Sequence, residues 1–164
     1  VIVNRPTVPG DVEFLWRMLY FASHSNDQPG VGVDDIRSNP DLIGYIEGWK
    51  SAGHTGVIAE RDEQPVGAAW LRMLGPEEEE NPVFVDPTTP ELAIAVEPGA
   101  EGQGIGTSML EELMRLASHE FPGIVLSARA ESRAIRLYER LGFAVVAAMT
   151  NRVGTDSVKM VRTF

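Results

Sequence analysis

Apolar residues recur at two periods along the chain, and the switches between them mark out its elements. Val12, Leu15, Trp16 and Leu19 share one face of a helix predicted over 11–22. A short strand, Val1–Asn4, precedes it and is expected to stop before Pro6. Residues 23–40 are dense in Ser, Asn, Asp, Gly and Pro and read as a long loop. Leu42, Tyr45, Ile46 and Trp49 return to helical spacing; Gly44 and Gly48 weaken that second helix, and Gly53 ends it. Two strands, 55–60 and 65–73, then form a hairpin about the polar turn RDEQ. The acidic loop GPEEEENP (75–82) leads through FVDPTTP to a strand, ELAIAV, at 91–96. A glycine-rich turn opens a long helix over 103–119, with Ile105, Met109, Leu113 and Leu116 on its buried face. Pro122 and Gly123 break it. Strand 124–129, helix 131–141, strand 143–149, a turn at NRVGTD and a last strand, SVKMVRTF, follow. The order is β-α-α-β-β-β-α-β-α-β-β, with no internal repeat and no dividing linker, so one mixed α/β domain is expected over 1–164.

Composition narrows the chemistry. The 164 residues are 43% hydrophobic and 23% charged, the balance of a globular protein. There is no cysteine, which removes disulfides, thiolate metal sites and cysteine nucleophiles. His24, His54 and His119 are far apart and lack paired-ligand spacing, so no metal is expected. A net charge of −10 disfavours nucleic acid and anionic lipid as partners. No apolar run approaches the roughly 20 residues of a membrane span, and VIVNRPTVPGD has no basic-then-apolar leader. No membrane partner and a cytoplasmic setting are therefore expected.

The segment AIAVEPGAEGQGIGTSML, Ala93 to Leu110, is a strand, a sharp turn and a helix opened by Gly102, Gly104 and Gly106. Glycines there let backbone approach a ligand and leave outward-facing N–H groups. The helix end adds about half a positive charge, which suits a pyrophosphate. A tight turn with no ligand is the alternative. It is not a Walker loop, since no Lys-Ser/Thr follows, and its glycine spacing does not fit the dinucleotide fingerprint.

Glu101-Gly102-Gln103-Gly104-Ile105-Gly106 resembles the acetyl-CoA pyrophosphate loop of the GNAT superfamily of N-acetyltransferases, usually Arg/Gln-x-x-Gly-x-Gly/Ala. Arg133-Ala134-Ile135-Arg136-Leu137-Tyr138-Glu139-Arg140-Leu141-Gly142-Phe143 is similar to the family's helix-to-strand segment, and the strand order also agrees. The resemblance is weak over 1–55 and strong over 91–143. It implies an α/β (α+β) fold with a twisted, mostly antiparallel mixed sheet of about six or seven strands and about four helices. Two positions depart from the pattern. Glu101 stands where the family has Arg or Gln, and Glu131 where many members have an Asn on the pantetheine arm. No Lys or Arg occurs between 97 and 114. A Glu about 6 Å from a phosphate costs about 0.7–3 kcal/mol. Three backbone N–H bonds to an anion contribute roughly 1.5–3 kcal/mol each, so the backbone should win. Gln103, Thr107 and Ser108 can donate as well. Arg133 or Arg136 could reach the adenosine 3′-phosphate, or be ordinary surface arginines.

The resemblance further implies transfer of acetyl from acetyl-CoA, a cosubstrate, to a primary amine. The amine must be neutral, although an alkyl ammonium titrates at about 10.4 and an α-amino group at about 7.7–8.0. A backbone N–H of the strand before the loop, at Ala95 or Val96, would stabilise the thioester oxyanion. Tyr138 would protonate the departing thiolate; alternatively it packs in the apolar stripe Ala134, Leu137, Tyr138 and Leu141. Glu91 begins the strand on the side of Ala93 and Ala95, and is the candidate general base or else a polar strand end; Glu97 is weaker.

The acceptor, a small-molecule or peptide amine, would lie near Trp16, Tyr20, Phe21, Tyr45, Trp49, His24 and the hairpin at Arg152. Those aromatics also read as core. Glu77–Glu80 could attract a cationic substrate, or be a solvated loop. Two other readings stand beside the enzyme: a non-catalytic acyl-CoA sensor of the same shape, and a homodimer formed through the exposed last strand.

Overall fold

The computed structural model describes residues 1–47 and 55–164. Its seven strands are ordered β1-β2-β3-β4-β5-β7-β6 in one mixed sheet. They are β1 (Ile2–Pro6), β2 (Gly56–Arg61), β3 (Gln64–Arg72), β4 (Glu91–Val96), β5 (Gly123–Arg129), β6 (Ala144–Thr150) and β7 (Asp156–Thr163). The helices are α1 (Val12–Ala22), α2 (Ile105–Ala117) and α3 (Ala134–Arg140), with a six-residue 3-10 helix at Val33–Ser38 and several shorter turns. Two compact units are formed: Val1–Arg72 with Ala93–Arg115, and Met73–Leu92 with Leu116–Phe164.

In the first unit β1 runs through Pro6, which sits opposite Val57, rather than stopping before it. The strand is at the sheet edge, where a residue without an N–H loses no ladder bond. The β2–β3 hairpin is closed by Arg61 opposite Gln64, and both loop residues are left-handed (Asp62 φ 50°, Glu63 φ 64°). That two-residue geometry matches the twist of paired strands. Leu15, Met18 and Leu19 of α1 are buried with Ile36, Leu42, Ile46, Ile58, Ala68, Trp70 and Ala93 in one cluster. Val12 and Trp16 lie at its margin.

The expected loop 23–40 contains 3-10 turns at Ser25–Asp27 and Val33–Ser38. Ile36, 1% exposed, anchors the longer one, and the Asp35 carboxylate accepts the Gly32 N–H at its start (2.6 Å). The expected second helix is a single 3-10 turn, Ile43–Tyr45, among the described residues; Trp49 and Gly53 lie outside them. Gly44 weakens continuous helix there, and the Trp70 indole N–H donates to the Tyr45 carbonyl (3.0 Å), tying the turn to β3.

In the second unit β5 and β6 both pair antiparallel with β7. Leu74, Val83 and Val125 form its buried cluster, with Phe84, Met149 and Val161 packed against it. The last strand is therefore not an exposed edge. Its two sides are taken by β5 and β6, so the expected route to a homodimer through it is closed, and β6 is the edge. The parallel ladder joining β4 to β5 is, among the described residues, the pair Glu91–Val125. No helix among the described residues is long and apolar enough to cross a membrane.

Candidate functional site

The glycine turn lies wholly in the first unit, between β4 and α2. Gly99, Gly102 and Gly104 have φ of +89°, +74° and +78°, conformations that side chains rarely adopt. A Cβ built on Gly102, Gly104 or Gly106 meets nothing within 4 Å. Glycine is thus favoured at 99, 102 and 104 by backbone conformation, and none of these positions is crowded from within the protein. Ser108 N–H makes the first bond into α2, onto the Gly104 carbonyl (3.0 Å). The N–H groups of Ile105, Gly106 and Thr107 come before it, where a helix has no carbonyl one turn back. Ile105 is buried while Glu101 to Gly104 are exposed, so the apolar residue roots the turn and the polar backbone faces outward. Such a cradle fits a diphosphate.

Glu101 does not intrude on it. Its carboxylate accepts the Gly99 N–H (2.8 Å), on the strand side of the turn. Glu97, the weaker base candidate, is held by Arg17 through two bonds of 2.5 and 2.8 Å, and its own N–H donates to the Val66 carbonyl. Ala95 and Val96 are half-buried at the end of β4, directly before the turn. Two residues not foreseen from the sequence meet this region. The Asn4 amide donates to Ser108 Oγ (2.7 Å), and an Arg61 N–H donates to Gln103 Oε1. No local signal could have revealed them, because the partners lie 104 and 42 residues apart.

Tyr138, Glu91, Glu131 and Arg136 belong to the second unit. The Leu141-Gly142-Phe143 segment ends α3 in a specific way: Phe143 N–H donates to the Tyr138 carbonyl and Gly142 N–H to the Glu139 carbonyl, each 3.0 Å. This is the Schellman arrangement, and Gly142 supplies its left-handed residue (φ +91°). It brings the Phe143 ring edge-on to Tyr138, with centroids 6.0 Å apart. Tyr138 is consequently buried, and burial pushes its phenol up to about 12. Of the expected stripe, Tyr138 is buried while Ala134, Leu137 and Leu141 are half-buried. Glu91 is 2% exposed at the start of β4. Leu92 and Ala93 are buried beside it, so both faces of the strand are covered there instead of alternating. Glu131, Arg133 and Arg136 are exposed. Ser132 Oγ, between the first two, accepts the Ala134 N–H and starts α3.

The aromatic residues expected near an acceptor, Trp16, Tyr20, Phe21 and Tyr45, pack at the margin of the α1 core, half-buried. Tyr20 donates its hydroxyl to the Val31 carbonyl (2.7 Å), and the Arg72 guanidinium lies 3.8 Å from the Tyr45 ring centroid. His24 is left-handed (φ 57°), with Nδ1 3.7 Å from the Asp27 carboxylate. Trp49 lies outside the described residues. Arg152 is exposed in the β6–β7 turn, which Asn151 organises by accepting the Val153 and Thr155 N–H groups.

Residues 5–143 match the model of the acetyltransferase (GNAT) family, and the chain belongs to that family. A mycothiol acetyltransferase of Cellulomonas flavigena is 29% identical over 160 residues, covering 89% of this chain and 41% of that protein. The chain thus spans about two fifths of the length of this curated relative. The fold is shared with a GNAT acetyltransferase of Streptococcus pneumoniae, with a TM-score of 0.74 at 17% identity over 100% of this chain and 99% of that one. It is shared too with yncA of Salmonella typhimurium, solved with its cofactor acetyl-CoA: TM-score 0.73, 21% identity, 99% of this chain and 94% of that one.

Proposed function

We propose that this chain, acting as one domain over 1–164, transfers acetyl from acetyl-CoA to the primary amine of a small molecule or peptide. The observation that carries the reading is the glycine turn. It has left-handed glycines, open Cβ directions and three helix-start N–H groups, and Glu101 is folded away from it. The N–H groups from Gly102 to Thr107 hold the diphosphate, with the Thr107 hydroxyl and Gln103 amide beside them. Acetyl-CoA supplies an activated thioester.

The chain's own residues do the rest. The N–H of Ala95 or Val96 polarises the acyl carbonyl. Tyr138 is a neutral phenol at working pH, further from ionising because it is buried, and it offers its proton to the leaving sulfur. Glu91 takes the ammonium proton, directly or through water. Arg136 and Glu131, exposed at the start of α3, flank the adenosine and pantetheine portions.

The test is calorimetric binding of CoA, followed by release of free thiol from acetyl-CoA over a panel of polyamines, aminoglycosides, amino acids and peptides. Binding with amine-dependent thiol release is expected. Binding with no release under any acceptor favours the acyl-CoA sensor, and absence of binding removes both readings.

A further inference from the structure

Resting on that coenzyme site, we propose that Arg61 supplies the positive charge for the diphosphate that the glycine turn itself lacks. It reaches the turn from β2 by way of Gln103. Between Glu97 and Met114 there is no Lys or Arg, while Glu97, Glu101, Glu111 and Glu112 all fall there. Backbone N–H groups alone would have to hold a multiply charged anion in a chain of net charge −10.

The arginines of the first unit divide sharply. Arg5 is paired with Asp11 and Glu60, Arg17 with Glu97, Arg37 with Glu13 and Arg115 with Glu112. Arg72 is buried against the Tyr45 ring. Arg61 is different, because no carboxylate among the described residues pairs with it. Its guanidinium donates instead to the neutral side chain of Gln103, which stands between Gly102 and Gly104.

Its root is fixed. Arg61 ends β2, with Ile2 opposite on one side and Gln64 on the other, where it closes a two-residue turn. The backbone therefore cannot carry the guanidinium away from the glycine turn. A guanidinium has five N–H donors in a rigid fork, and one amide acceptor leaves most of them for phosphate oxygens. Gln103 holds the cation at the rim without neutralising it, which a carboxylate at that position would do.

The test measures binding of CoA, 3′-dephospho-CoA and pantetheine to wild type, R61Q, R61K and Q103E. R61Q is expected to weaken CoA and 3′-dephospho-CoA by the same factor, roughly ten- to 150-fold, the size of one charge-assisted bond. It should leave pantetheine, which has no phosphate, unchanged. The salt dependence of CoA binding should flatten in R61Q, since one screened attraction is gone. R61K should recover part of the loss. Q103E should weaken CoA too, but because its carboxylate both repels phosphate and neutralises Arg61, it is R61K that carries the test if R61Q fails to fold, with CoA weakened and pantetheine unchanged. Wild-type affinity in R61Q overturns the proposal. So does a loss confined to CoA and absent with 3′-dephospho-CoA, which would place the charge at the 3′-phosphate. If wild type binds no CoA, the coenzyme site falls and this inference with it, and wild type and variants then fail alike.

Discussion

Replacing Gly104 by aspartate separates coenzyme binding from folding. Three terms decide the effect on stability. Gly104 has φ +78°, which costs an ordinary side chain about 1–2 kcal/mol, and aspartate less. A Cβ there meets no atom within 4 Å, so there is no clash. A carboxylate directly before α2 faces the positive helix end, worth about 0.3–1 kcal/mol in its favour. These nearly cancel, and unfolding free energy should move by no more than about 1 kcal/mol. Binding has no such compensation. A carboxylate about 5 Å from a phosphate, at an effective dielectric of 20–40, repels it by roughly 2–3 kcal/mol. The same carboxylate can take an N–H otherwise given to phosphate, a further loss of about 1.5–3 kcal/mol. Together these lower CoA affinity by at least about a hundredfold. Calorimetric titration with CoA reads the affinity, and thermal unfolding without ligand reads the fold. G104A should show the strain with a smaller loss of binding. A G104D protein that folds and binds CoA like wild type would refute the placement of the diphosphate.

Tyr138→Phe should reduce turnover by about 100–10,000-fold with CoA affinity unchanged, read from steady-state rates and calorimetry. Because burial raises this phenol to about 12, it stays protonated at working pH, and the wild-type rate profile should show no falling limb from it below that value. Gly142→Ala should destabilise by at least about 1–2 kcal/mol, or several degrees in melting temperature. Its left-handed cap is strained by any Cβ, and the new methyl would sit 3.4 Å from the Arg162 side chain. Asp11→Asn should cost about 1–2 kcal/mol at neutral pH, measured by urea unfolding at pH 7 and pH 3. Burial alone would raise the Asp11 carboxyl, but the Arg5 guanidinium and the Val8 N–H outweigh it and leave it lowered. Its contribution is present above the ordinary value of 3.8 and fades as pH falls through the depressed folded value, so the gap between wild type and variant should narrow at pH 3.

Much of the candidate site is legible because its parts are local. The glycine turn needs left-handed residues at neighbouring positions, and only glycine supplies them cheaply. The Leu-Gly-Phe cap of α3 likewise specifies its own hydrogen bonds within six residues, from Tyr138 to Phe143. Other expectations went astray where a preference depends on surroundings. Pro6 is tolerated in β1 because that strand is an edge. Within the polar stretch, Val33–Ser38 coils into a 3-10 helix that buried Ile36 anchors. Glu101 departs from the family pattern, and only its bond to the Gly99 N–H shows where its charge goes.

Consecutive residues determined the strands, α1 to α3 and their order, the glycine turn and the α3 cap, but not the 3-10 turns between α1 and β2, since the former rest on backbone preferences and periodicity within a few positions. Tertiary structure decided which strand is the edge, that Tyr138 is buried with its phenol raised, and that Arg61 meets Gln103. Those outcomes depend on strand pairings between distant segments. The free energy of such pairings belongs to two surfaces meeting, so neither segment carries it alone.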